Sequence, residues 1–295
     1  SCRRRISDRR IRSDCAAQRM WITGNSGPFK VHEIEIASSA GKGLRILHIS
    51  DLHFAPGQTA KADFIAKLAE LEPDFVINTG DNLGHKDAIN PALLALEPLR
   101  QFPGVFVNGS NDYRAPKPRN PLRYFMGPSK NSTPGVRLDT ERFEDELIGS
   151  GWLNLNNKAG QLEINSTRIG FLGLNDAHEG LEDFAGLPKQ TASLKEVDIT
   201  IGVAHAPYLE VIDAFLEQQV EIMFAGHTHG GQLCLPGQKA LITNCDLPRK
   251  YASGLSAWSD DNHQAMLHVS NGIGCSIYAP LRIFCPPSAT LITLN

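Results

Sequence analysis

Five short polar clusters break the apolar runs of this chain: Asp51-Leu52-His53, Gly80-Asp81-Asn82, Gly109-Ser110-Asn111-Asp112, Ala204-His205-Ala206 and Gly226-His227-Thr228-His229-Gly230-Gly231-Gln232. Asp and His supply the carboxylate oxygens and neutral imidazole nitrogens that divalent transition metals favour. In Asp51/His53 and in His227/His229 the two residues are separated by one, so on extended chain both side chains point to the same side. Taken singly, each cluster is weak. A strand-ending Asp is commonly a turn or helix-cap residue, and one His on an apolar segment is commonly an ordinary hydrogen-bonded side chain. Together they offer enough donors for two metals about 3.5–4 Å apart, which can activate water and clamp a phosphoryl group.

The elements that must position them are legible as alternating apolar runs and turns. Phe29 to Ile36 alternates as a strand with one buried face. Leu44 to Ser50, Phe75 to Thr79 and Gly104 to Asn108 read as strands, each ending at a polar cluster. Ala60 to Leu71 and Asn90 to Glu97 read as helices between them, the second with an early Pro91. This strand–loop–helix cycle predicts α/β organisation, in which ligand sites gather beyond the strand ends. Phe143 to Leu147 and Leu209 to Gln218 read as further helices. The second half is richer in strands, over 161–166, 168–174, 198–203 and 222–224. Strands near Ala240, Met266 and Ser288 are expected to complete a second sheet.

The chain has 295 residues, 29 Lys and Arg against 32 Asp and Glu, and a net charge of −3. Seven arginines (3, 4, 5, 9, 10, 12 and 19) fall within residues 1–20, so the remaining body carries 22 basic and 30 acidic residues. An acidic body argues against a nucleic-acid binder, and no stable nucleic-acid partner is expected. No apolar stretch approaches the roughly 20 residues of a membrane span. Residues 1–27 are expected to form a flexible Arg-rich segment and 28–295 a single domain. The six cysteines contain no CxxC pair, which predicts reduced, structural thiols in a cytoplasmic protein, with weak contact of residues 1–20 with a membrane surface as the variant. No GxGxxG, P-loop or Gly-x-Ser-x-Gly motif stands at a useful place.

The ordered set of clusters resembles the calcineurin-like metallophosphoesterase family: Asp-x-His, Gly-Asp, Gly-Asn-His-Asp or Glu, a lone His, then Gly-His-x-His. His227-Thr-His-Gly-Gly-Gln232, Asn271-Gly-Ile-Gly274 and Pro280-Leu-Arg-Ile283 are similar to its bacterial branch of small phosphohydrolases and phosphodiesterases. The resemblance implies a four-layer α/β/β/α sandwich with two facing mixed β-sheets. It implies Asp51, His53 and His229 around a first metal, Asp81 bridging, and His205 and His227 on a second. The metals are expected to be divalent or mixed-valence, Mn with Fe favoured and Zn an alternative. It implies phosphate-ester hydrolysis by metal-activated hydroxide, with diesters slightly favoured over monoesters.

The departure lies at 109–112. A gapless comparison puts Ser110 at the family's ligand Asn and Asn111 at its useful His. A shift by one makes Asn111 the ligand and sets Asp112 at the His position. Asn111 is the preferred ligand, because its carbonyl replaces the usual donor directly. In either register no imidazole stands there, so proton donation would fall to Asp112 with a strongly raised pKa, while a good leaving group would need little acid help. His178, in Asn175-Asp176-Ala177-His178, is a candidate for contacting phosphate or leaving group, or else a surface-turn residue. Asn82 orients substrate or Asp81, or stabilises its turn; His85 reads as solvent-facing. Arg114, Lys117, Arg119 and Arg123 could cap an anionic substrate and Tyr113 and Tyr124 could wall it. Two other readings stay open: a metal-containing binding or scaffold protein with little turnover, and a membrane-surface lipid phosphoesterase. The expected substrate is thus a phosphate-ester small molecule or lipid; protein partners are not indicated.

Overall fold

The computed structural model describes residues 22–117 and 135–295. Twelve strands build two six-stranded sheets. They are β1 (Lys30–Ile36), β2 (Arg45–Ile49), β3 (Phe75–Asn78), β4 (Gly104–Phe106), β5 (Leu153–Asn154), β6 (Ala159–Ile164), β7 (Thr167–Gly173), β8 (Ile199–Val203), β9 (Ile222–Ala225), β10 (Gly254–Ser259), β11 (Gln264–Val269) and β12 (Ser288–Leu294). The first sheet runs β1-β12-β2-β3-β4-β5 and the second β10-β11-β9-β8-β7-β6. β2 to β5 are mutually parallel, as are β7, β8, β9 and β11, while β12 runs antiparallel to β2.

Three apolar layers follow from the period-2 alternation of the strands. On β2, Ile46 faces the other sheet while Leu47 and Ile49 face helices. Between the sheets lie Ile46, Phe75, Ile77, Phe171, Ile201 and Phe224. The helices Thr59–Lys67, Ile89–Leu96 and Thr140–Gly149 cover the first sheet through Ile65, Leu93 and Phe143. Leu187–Ser193 and Leu209–Glu217 cover the second through Leu187, Ile212 and Phe215. The result is the four-layer α/β/β/α sandwich with two facing mixed sheets.

One polar pair crosses the apolar middle layer: His48 Nδ1 and His268 Nδ1 lie 2.8 Å apart, and His48 Nε2 lies 3.0 Å from the Thr79 hydroxyl. Burial holds the His48 imidazole well below its ordinary pKa and brings His268 down to about 3, so both rings are neutral and one N–H satisfies the other lone pair.

Two expectations for the second half need correction. The strand at 288–294 joins the first sheet, between β1 and β2, and its register pairs Thr290 with His32 and with His48. The strand near Ala240 is a two-residue piece, Lys239–Ala240, paired with Cys234–Leu235 in a separate hairpin. The reason is topological: the chain end returns over some 240 residues to fill the gap beside β2, and strand periodicity carries no information on which sheet will accept it. The segment at 109–112, read as a loop, is a one-turn helix, Ser110–Tyr113. Among the described residues no helix is long and apolar enough to cross a membrane.

Phe75 and Phe171 meet edge-to-face across the sandwich, with ring centroids 5.9 Å apart, and both are fully buried. Phe75→Ala is expected to lower the unfolding free energy by about 3–5 kcal/mol, measured by urea denaturation. A loss below about 1 kcal/mol would mean that the middle layer collapses into the cavity.

Candidate metal centre

All five clusters reach one edge of the sandwich because each follows the carboxyl end of a parallel strand. Asp51 and His53 follow β2, Asp81 follows β3, Asn111 follows β4, His205 follows β8, and His227 and His229 follow β9. Asp51, His53, Asp81, His227 and His229 all have positive φ, between 39° and 68°. Such left-handed backbone is uncommon for residues with a Cβ and gathers at functional sites. The motif glycines are steric requirements. A Cβ on Gly109 would strike the Asp81 carboxylate and His205 Nε2, and one on Gly226 would strike Ser50 and the Asp51 carboxylate.

The donors converge from both sheets. His53 Nε2 lies 3.1 Å from His229 Nε2 and 3.4 Å from Asp81 Oδ2. His229 Nε2 lies 3.6 Å from Asp51 Oδ1, and His205 Nε2 lies 3.6 Å from Asp81 Oδ2 and 3.3 Å from His227 Nδ1. Asp51, His53 and His229 form one triad with ligand atoms within 4.8 Å of one another; Asp51, Asp81 and His205 form another. Donors held roughly 2.0–2.2 Å from a common cation are themselves roughly 3–3.6 Å apart, so these separations suit metal ligation.

The protonation pattern supports the same fit. His205 Nδ1 donates to the Thr79 carbonyl at 2.7 Å, and His229 Nδ1 lies 3.2 Å from the Gly274 carbonyl, an arrangement that turns each Nε2 atom toward the cluster. Burial lowers His53 to about 4 and holds His227 and His229 well below the ordinary value. Burial opposes ionisation of Asp81, yet His205, His53 and Asn111 together hold its carboxyl at about 2. Burial raises Asp51 to about 6. Against burial, Asp81, Asp51 and Asp176 raise His205 to about 9. Neutral His53, His227 and His229 thus offer imidazole lone pairs beside the carboxylates, while His205 carries a proton that a cation bound there would displace.

At the departure from pattern, Asn111 is the residue that touches Asp81. Its backbone N–H donates to Asp81 Oδ1 at 2.8 Å and its side-chain amide to Asp81 Oδ2 at 2.6 Å. Ser110 precedes it in the same helical turn, half-buried. The Asp112 carboxylate turns to the backbone instead: Oδ1 accepts from Asn82 N (2.8 Å) and Leu83 N (3.1 Å), and Oδ2 from Gly109 N (3.0 Å) and Asn82 Nδ2 (3.3 Å). Burial, with Asp81 adding to it, pushes Asp112 up to about 7, while those N–H groups pull against the rise. Both oxygens are engaged in clamping the 80–83 turn to the 109–113 turn, which leaves no geometry for proton donation to a substrate. Asn82 is fully buried and ties Asp112 to Asn78, a turn-stabilising position.

His178 reaches the rim. Its exposed ring stands 4.8 Å from the His227 ring, and Nδ1 lies 3.0 Å from the Tyr208 hydroxyl. Tyr113 donates to Asn175 at 2.7 Å, which ties the 109–113 turn to the same rim. His85 turns away to Asp87. Arg114 and Lys117 are exposed, whereas Arg119, Arg123 and Tyr124 lie outside the described residues.

Several supporting residues carried no sequence signal of their role. Lys61 reads as an ordinary helix lysine but is fully buried, donating to the carbonyls of Leu52 (2.6 Å) and His53 (3.4 Å) and to Asn25 (2.8 Å). Arg282, also fully buried, donates to the carbonyls of Asn271 (2.7 Å), His229 (3.3 Å) and Gly274, and its Nη2 lies 3.0 Å from His229 Nδ1. Asp176 is buried beside the His205 strand end and accepts from His178 N at 3.0 Å.

An Asp/His cluster of this make-up, set across the carboxyl ends of two parallel-stranded sheets, defines a metal-dependent hydrolase. The chain belongs to the calcineurin-like phosphoesterase family, whose model matches residues 44–231. It is therefore a metal-dependent phosphoesterase, of a family with divalent ions at a dinuclear site. The phosphodiesterase YaeI of Escherichia coli is 24% identical over 270 residues, covering 89% of this chain and 86% of that protein. The uncharacterized metallophosphoesterase YkuE of Bacillus subtilis is 23% identical over 263 residues, covering 86% and 79%. The NAD nucleotidase of Haemophilus influenzae shares the fold, with a TM-score of 0.51 at 12% identity over 82% of this chain and 49% of that one.

The clamp has a direct test. Asp112→Ala strands backbone N–H donors in a buried site and is expected to cost about 3 kcal/mol of stability, whereas Asp112→Asn, which keeps one acceptor oxygen, loses less. Urea titration of the metal-free proteins measures both. Native stability in Asp112→Ala would deny the clamp.

Proposed function

We propose that the chain hydrolyses phosphodiesters in preference to monoesters, with Asp51, His53 and His229 holding a first cation, His205, His227 and Asn111 a second, and Asp81 between them. The observation that carries this reading is the place of Asp81, within 3.6 Å of imidazole nitrogens from both sheets. The mixed Asp, His and Asn donors suit Mn with Fe, or two Mn, with Zn an alternative. When bound, such a pair supplies Lewis acidity toward phosphate oxygen and a lowered pKa for water. What supports the diester preference is the phosphodiesterase name of the E. coli relative together with the make-up of the rim.

The protein's own groups divide the remaining work. Asn111 donates to Asp81 and keeps that carboxylate oriented. The turn that holds it contains no imidazole, so His178 is the group assigned to bind phosphate oxygen or protonate the departing alkoxide. Tyr208 orients it through Nδ1 at 3.0 Å. The His178 ring stands beside His227 at the rim, and an imidazolium is an acid near neutral pH, a capacity that Asn and Ser lack.

Protein purified without chelator is expected to carry roughly two metals per chain, counted by inductively coupled plasma mass spectrometry, and to cleave a matched diester faster than its monoester. Absence of metal, even after anaerobic reconstitution with Mn²⁺, Fe²⁺ or Zn²⁺, would sink the dinuclear reading. Asp81→Ala is expected to lose both metals, and Asn111→Ala to weaken the second while Ser110→Ala retains it. The reverse order would assign the ligand to Ser110. His178→Ala is expected to retain its metals and to lower kcat by about 10²-fold for substrates with poor leaving groups, with much less effect on good ones. An equal loss on both would assign His178 to binding alone.

A further inference from the structure

Beside the metal centre lies an apolar rim that the hydrolytic reading does not use. The His229–Gly231 turn runs directly into the hairpin of Cys234–Leu235 and Lys239–Ala240. Leu233 in turn bridges to Ile283, and Leu241 N donates to Leu233 O at 3.1 Å. Gln232 Nε2 donates to the carbonyls of Ala279 (2.8 Å) and Leu281 (2.9 Å), drawing the 276–282 loop onto the same face. Four large apolar side chains on these joined segments are exposed: Leu235 (52%), Leu281 (43%), Tyr278 (38%) and Leu241 (37%). Scattered exposed leucines are ordinary, whereas a group on one set of hydrogen-bonded segments marks an interaction surface.

The charge around this rim is positive. Lys239, Arg249 and Lys250 are exposed there, and Arg249 is fastened to the rim through the Leu241 carbonyl at 3.1 Å. Asp246 is the exposed acid in that stretch. The segment of residues 1–20, with seven arginines against two aspartates, precedes the strand Ile22–Thr23 in the chain. That strand pairs with Arg282–Ile283 on this same face. Exposed apolar side chains on segments that also carry Lys239, Arg249 and Lys250 match an anionic lipid surface: leucines and Tyr enter the headgroup boundary and cations meet lipid phosphates.

We propose that this rim docks on an anionic phospholipid membrane, setting the metal-centre edge against the headgroup layer. Arg282, which donates to the His229 carbonyl, lies on the strand that pairs with Ile22–Thr23 at this rim. Docking rests on the rim alone, and it extends the hydrolytic reading to phosphoesters carried on or near a membrane.

The test uses the full chain and vesicles of phosphatidylcholine, alone or mixed with phosphatidylglycerol in roughly a two-to-one ratio. Co-sedimentation is expected to show binding to the mixed vesicles that weakens with added salt. Leu235→Glu/Leu281→Glu is expected to lower that affinity about tenfold or more, and Lys239→Glu to lower it several-fold. Turnover of a small water-soluble phosphodiester, and the far-UV circular dichroism, should stay at native levels in these variants. Failure of the native chain to bind the mixed vesicles, or undiminished binding by the double variant, would overturn the proposal. So would concentration-dependent dimerisation that the double variant abolishes, since a second copy would then be the occupant. Vesicle binding without turnover of any soluble ester would uphold docking and count against the hydrolytic reading alone.

Discussion

The carboxylate of Asp81 sets the terms for the rest of the molecule. It stands at the end of a first-sheet strand and faces imidazoles from both sheets, His53 at 3.4 Å and His205 at 3.6 Å. Burying that charge is costly, and it is held ionised because positive His205 and the Asn111 donors surround it. Holding donors from two sheets on one carboxylate fixes how the sheets meet: their parallel strands must end together at the same edge. The middle apolar layer fills the space behind that junction, and the His48–His268 pair crosses it in hydrogen-bonded register.

The same constraint explains the backbone strain. Five residues of the cluster sit at positive φ, a conformation costing of order 1 kcal/mol or more each unless the surroundings over-determine it. The surroundings do so with buried hydrogen-bonding side chains. Lys61 grips the Leu52 and His53 carbonyls, Arg282 grips those of His229, Asn271 and Gly274, and Asp112 gathers N–H groups from two adjoining turns. Burial brings Lys61 down to about 7. These groups act through carbonyls and amides rather than through salt bridges, so they orient the loops without competing for the cluster's carboxylates.

The altered 109–112 turn changes the division of labour without dismantling the frame. Asp112 serves as the clamp and Asn111 as the contact to Asp81, so the turn stays in place although it lacks an imidazole. The imidazole that does face the rim comes from a different strand end, beyond β7, where Tyr113 bonds to Asn175 and His178 to Tyr208 along one edge.

How much was legible follows from what each signal encodes. Asp51, His53, Asp81, His205, His227 and His229 could be singled out because each follows an apolar strand in a fixed order, and short-range spacing encodes that directly. The α/β cycle and the strands over 29–36, 44–50, 75–79, 104–108, 161–166, 168–174, 198–203 and 222–224 were legible for the same reason, a period of two and turn residues being local properties, whereas the two-residue strand Leu153–Asn154 is too short to show a period. Sheet membership of 288–294 was not, because pairing with β1 and β2 joins residues some 240 apart and nothing local specifies it. Nor could sequence tell Lys61 and Arg282 from surface cations, or Asp112 the clamp from Asp112 the acid. Those roles depend on which carbonyls and amides converge on each side chain. The sequence by itself determined the donors and the strand ends that carry them; the tertiary structure alone decided what stands behind them, because burial and hydrogen-bond partners belong to space rather than to order along the chain.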